Sequence, residues 1–191
     1  MFGCELPTEF ESGGVRYPFH SDFREWIRFE SLIINSDVPE NLKNVLALRL
    51  IFAGNVPDDI IGAEKFILWF YRGGREKRAA NNDDSGADSL ESRRVYDFEY
   101  DFEYVYAAFL EQYGIDLINI DYLHWWKFRA LFKGLHDCRL TEIMGYRGAD
   151  ISDDLPDSRK AFLLDMQELY ELPVSLTEQR RIEKAMRYLE G

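Results

Sequence analysis

Apolar residues in this chain recur mostly at intervals of three and four, the spacing of helices that bury one face. One stretch departs from this. From Tyr96 to Tyr104, aromatic residues alternate strictly with Asp97, Glu99, Asp101 and Glu103, which alone reads as a strand with an acidic face. Carried on to Tyr113, the same stretch puts Phe98, Phe102, Val105, Phe109 and Tyr113 on one helical stripe. Asp97 can cap the first amides, the acids fall where the helix dipole favours them, and Gly114 suits the residue just past the end. The pattern therefore predicts a helix. A second helix is expected over about 120–135, with Ile120, His124, Phe128, Leu131 and Leu135 on one arc and Trp125 and Phe132 widening it. The connection is short, so the two helices are expected to be antiparallel neighbours. Phe98, Phe102, Phe109, Trp125, Phe128 and Phe132 are then the structural core.

The remaining elements follow from turn and breaker residues. Residues 6–19, LPTEFESGGVRYPF, carry a Ser-Gly-Gly turn between two short extended runs, the pattern of a small hairpin. A helix opened by Ser21 or Asp22 places Phe23, Trp26, Ile27, Ile33 and Ile34 on one face, with Glu30 inside that face and expected at its rim, or else bonded to an Arg, Lys or His from elsewhere. Pro39 starts another helix, with Leu42, Val45, Leu46, Arg49 and Leu50 at helical spacing. From Asp58 a run apolar around most of its circumference reads as a central helix ended by Gly73 and Gly74. Residues 73–95 turn abruptly small, polar and charged, as expected of a flexible loop. A short helix over 139–146 and amphipathic segments over 158–171 and 176–189 complete the chain.

The fold class expected is thus mainly α. One helical domain spans residues 1–150, built on the antiparallel aromatic hairpin and carrying the small N-terminal β-hairpin, and residues 151–191 form a helical extension. Arg180, Arg181, Lys184 and Arg187 give the last segment a basic face, a candidate contact for a partner or for the acidic body.

Composition narrows the function more by exclusion than by indication. Asp and Glu total 35 against 23 Lys and Arg, a formal charge of −12, which opposes binding to nucleic acid or anionic lipid and favours basic partners. No apolar run is long enough for a membrane span, and the start lacks a signal-peptide layout, so the expected location is the cytoplasm. Cys4 and Cys138 sit in no paired motif, as in a reduced protein. His20, His124 and His136 match no metal-ligand spacing; His124 is expected to be a hydrogen-bonded core residue. Phosphate-loop, dinucleotide and nucleophile-elbow motifs do not occur. Asp97, Glu99, Asp101 and Glu103 read as a solvated face or one for a basic partner, since on a helix the i,i+4 acids repel unless a cation intervenes. No catalytic residue, cofactor or metal is therefore expected.

Four phrases, LPTEFESGGVRYPFHSDFREWIRFE, YDFEYDFEYVYAAFLEQYGIDL, YLHWWKFRALFKGL and IMGYRG, resemble in this order the bacteriophage gene-product-fifteen family of tailed phages and prophages, over roughly residues 6–148. The resemblance implies a non-enzymatic morphogenesis protein, similar to the tail assembly chaperones that coat the tape measure protein in the bacterial host cytoplasm. The partner implied is the tape measure or another phage tail protein, with self-association a further option. A structural component of the tail or connector is the second reading, and an acidic mimic of nucleic acid a distant third. The family supplies no catalytic or residue-level binding site.

If Trp125 is a core residue, Trp125→Ala is expected to cost ~3 to 5 kcal/mol. A thermal melt unaltered by the change would place the ring in solvent.

Overall fold

A computed structural model describes residues 6–35, 38–75 and 94–174. Cys4, most of the 73–95 loop, and the 176–189 segment with Arg180, Arg181, Lys184 and Arg187 lie outside the described residues. The fold is mainly α: among the described residues, seven helices accompany a single two-stranded sheet. The described residues form two compact units, one from the stretches up to residue 75 together with 121–130, the other from 94–120 and 131–173.

In the first unit, β1 (Glu9–Ser12) and β2 (Val15–Pro18) pair antiparallel across Gly13 and Gly14, whose φ values of 59° and 78° suit the left-handed turn a two-residue hairpin requires. Helix α1 (Phe23–Asn35) follows as expected. Asp22, just before it, accepts from the amides of Arg24 at 3.0 Å and Leu123 at 3.0 Å. Phe23 N donates to Leu123 O and Trp125 N to Ser21 O, so Asp22 and His124 form an antiparallel bridge. This bridge holds the residues before Trp125 extended. Helix α5 (Trp125–Lys133) therefore starts about five residues later than the periodicity predicts.

Helices α2 (Glu40–Ile51) and α3 (Ile60–Tyr71) complete this unit. Asp59 caps α3 through Gly62 N at 2.9 Å. Phe19 sits edge-on to Phe66 and Phe70 with centroids 4.9 and 4.7 Å away, Trp26 lies 4.6 Å from Phe70, and Phe23 stacks on Phe128 at 4.8 Å. Three tryptophans donate their indole N–H to backbone carbonyls: Trp26 to His20, Trp125 to Tyr71 and Trp126 to Phe70. Glu30 is not a rim residue. It is buried, with a carboxylate oxygen accepting from the Tyr71 hydroxyl at 2.5 Å, the partner a carboxylate in an apolar face requires. On α3, Ala63, Ile67 and Phe70 are buried while Ile61 and Leu68 are exposed, so one side is covered and not most of the circumference.

In the second unit, the stretch around Tyr96 to Tyr104 is a turn leading into a helix. The Asp97 carboxylate accepts from Glu99 N and Tyr100 N at 2.8 Å, and α4 (Phe102–Tyr113) begins one turn later than expected. Gly114 closes it at φ 66° in the left-handed region, as the sequence predicts. Asp101, not Phe102, points inward with Val105, Ala108 and Phe109. Phe102 is 37% exposed, a correction to its core assignment that follows from the later helix start. Helix α6 (Arg139–Gly148) packs against α4, and α7 (Asp157–Leu169) against α6. Gln167 of α7 donates to Tyr146 O and Ala149 O at the end of α6.

The aromatic hairpin is thus divided. Trp125 and Phe128 are buried in the first unit, Phe98 and Phe109 in the second, where the half-buried Phe132 meets Phe98 at 5.0 Å. What centres the second unit is an ion pair. Arg147 is 5% exposed and Asp101 fully buried; the guanidinium donates to both carboxylate oxygens at 2.6 and 2.9 Å, and also to Val95 O and Tyr170 O. Asp97 pairs with Arg94. Two of the four alternating acids are therefore structural and meet arginines of the same chain, while Glu99 and Glu103 remain exposed.

Asp101→Asn keeps the shape but leaves a buried guanidinium uncompensated, and is expected to destabilise by ~3 to 5 kcal/mol. Urea unfolding of the native and variant chains with the same midpoint would show the pair to be dispensable.

Candidate interaction surface

Helix α2 is inverted relative to its sequence pattern. Of the residues at helical spacing, Leu42, Val45 and Leu46 are 47%, 44% and 38% exposed and Arg49 is exposed too, while Leu50 is half-buried. The inner face is instead Lys43, Ala47, Leu48 and Ile51, with Lys43 only 2% exposed. Its Nζ donates to Ile33 O at 2.8 Å. Ile33 lies in the last turn of α1, where carbonyls lack intrahelical partners and the helix dipole favours a cation. Satisfying that carbonyl fixes the rotation of α2 and turns its leucines outward. Single exposed apolar residues are ordinary; an exposed stripe at helical spacing has the form that a helix laid against it can cover.

A second feature of the same unit is a shallow open groove of about 500 Å³ between β1 and α3, lined among others by Phe10, Phe66 and Trp69, with Glu9, Glu11 and Lys65 around it. Phe10 lies 4.8 Å from Phe66, and Phe66 5.7 Å from Trp69. Neither feature brings together ionisable groups suited to acid–base work. Among the described residues, no group of three or more His, Cys, Asp or Glu could hold a metal ion, and no helix is long and apolar enough to cross a membrane. His136 is exposed with its Nδ1 3.1 Å from Gly134 O, and Cys138 is a buried free thiol 3.6 Å from the Thr141 hydroxyl.

The sequence reading placed no functional residue in either feature. The groove had a signal that was available: Phe10 alternates with Glu9 and Glu11 on β1, and Phe66 and Trp69 stand three apart on α3. The α2 stripe had none, because its residues carry the pattern of an ordinary core face.

The profile of the family described as "Bacteriophage Gp15 protein" matches residues 4–172 of the chain. No curated protein and no solved structure matches it.

One wall of the groove is held by a histidine. His124 is 1% exposed; its Nδ1 accepts from Trp126 N at 3.0 Å, which leaves the proton on Nε2 to be donated to Pro7 O at 3.1 Å. Burial pushes its pKa below the ordinary 6.5, assisted by the nearby Lys127 and opposed by the Pro7 bond. The unfolded chain therefore binds this proton more readily. His124 contributes no pH dependence above 6.5, and its share of the stability is lost as pH falls from 6.5 toward the lower folded value. Urea midpoints measured from neutral pH down to about 5 are expected to fall, and to fall less in His124→Gln. Parallel curves for the two chains would show that His124 is not the source.

Proposed function

Since the chain belongs to the bacteriophage Gp15 protein family, matched over residues 4–172, we propose that it is a non-enzymatic phage morphogenesis protein whose work is reversible contact with another phage protein. The observation that carries this reading is the inverted face of α2, where a lysine is buried and three aliphatic side chains are left at the surface. The partner that fits best is the tape measure protein during tail assembly, in the host cytoplasm. A long helix of that kind offers apolar side chains at the same three-and-four spacing as Leu42, Val45 and Leu46, so repeated copies can cover it through many weak contacts. The basic face of Arg180, Arg181, Lys184 and Arg187 is a second candidate contact.

Co-expression with the tape measure protein tests the reading. The native chain is expected to co-purify with it. Leu42→Ser with Leu46→Ser, both at exposed positions, should reduce the complex roughly tenfold or more while leaving the melt within about 0.5 kcal/mol. Undiminished capture by that variant removes the stripe from the interface. Mass spectrometry of finished particles then separates roles: a chaperone is absent, whereas stoichiometric presence would identify a tail or connector component.

A further inference from the structure

Strand β1 has a second edge. In the register Glu9↔Pro18, Phe10↔Tyr17, Glu11↔Arg16 and Ser12↔Val15, the two-residue turn makes Ser12/Val15 and Phe10/Tyr17 the pairs that exchange hydrogen bonds with β2. The next pair of that parity is present as Phe19 N donating to Thr8 O at 3.2 Å. The backbone N–H and C=O groups of Glu9 and Glu11 therefore point away from β2. Among the described residues, no other segment takes them up. The groove described above lies along β1 and is open to solvent. Trp69 lines it, and of the four tryptophans it is the one whose indole N–H has no acceptor among the described residues.

We propose that this groove is a binding site for an extended peptide segment of alternating basic and apolar residues, which adds antiparallel to β1 as a third strand. The register assigns the alternation. Peptide residues directly opposite Glu9 and Glu11 exchange both backbone bonds with them and share their face, so these positions take Lys or Arg. Residues between them share the face of Phe10 and lie toward Phe66 and Trp69, so these take Val, Ile or Leu. The acids are free to change partners: their ion pairs to Arg16 span 3.8 and 4.0 Å between side chains at least half exposed, and such pairs hold little energy. The chain's −12 charge adds long-range attraction for a basic segment. The inference rests on the proposed function and deepens it by giving the partner protein a further point of contact.

The probe is a synthetic peptide of alternating Lys and Val titrated into the full chain, read by amide shifts in NMR. The expected result is saturable shifts at Glu9 to Ser12 and at the Trp69 indole, with affinity lowered roughly tenfold or more by Glu9→Lys with Glu11→Lys, both surface positions. N-methylation separates strand addition from charge attraction alone: methylating the lysine amides should abolish binding, and methylating the valine amides should spare it. Equal tolerance of both patterns, or shifts that miss β1, overturns the site. Peptide that fails to bind the native chain, beside undiminished capture of the tape measure protein by the Glu9→Lys, Glu11→Lys chain, overturns the groove and leaves the proposed function standing. Failure of capture by the native chain overturns that function, while the peptide titration still decides the groove.

Discussion

Backbone carbonyls without a partner of their own dictate much of this architecture. A buried carbonyl left unbonded costs on the order of 1 to 3 kcal/mol, so each segment end that packs inside must find a donor. Here the donors are long side chains that reach in from elsewhere: Lys43 to Ile33, Trp125 to Tyr71, Trp126 to Phe70, Arg147 to Val95 and Tyr170, Gln167 to Tyr146 and Ala149. The same demand sets side-chain polarity inside. Lys43 and Arg147 are buried because of what they donate to, and Asp101 is buried because Arg147 needs a counter-charge.

That demand also explains which parts of the fold were legible in the sequence. Local signals worked where the structure is locally determined: the Ser-Gly-Gly turn of the hairpin, Pro39 before α2, Gly114 after α4, and the existence of α1, α3, α6 and α7. They failed where a distant group overrides periodicity. The start of α5 is set by a bridge to Asp22, about a hundred residues away, and the start of α4 by an Asp97 turn whose neighbour Asp101 pairs with Arg147. The face of α2 was misassigned because hydrophobic spacing counts methyl groups and cannot know that Ile33 O awaits an ammonium. The division of the aromatic block between two units is of the same kind, since Trp125 and Phe128 pack with rings from the first quarter of the chain.

The two features singled out, the groove and the α2 stripe, are surfaces of the first unit. The groove was readable in principle from alternation on β1 and ring spacing on α3, and the stripe only after Lys43 was seen inside. His124 shows how the interior supports them: a neutral imidazole, kept neutral by burial, holds the Pro7 carbonyl beside the groove.

The outward leucines of α2 carry a colloidal consequence. With an excess of twelve negative charges, copies of the chain repel one another at low ionic strength, which keeps their oily ridges from meeting. At physiological salt that repulsion reaches only ~8 Å, shorter than the molecule itself. Salt thus shifts the balance between charge and oil, and an uncovered ridge is less shielded from its own copies in strong salt than in weak.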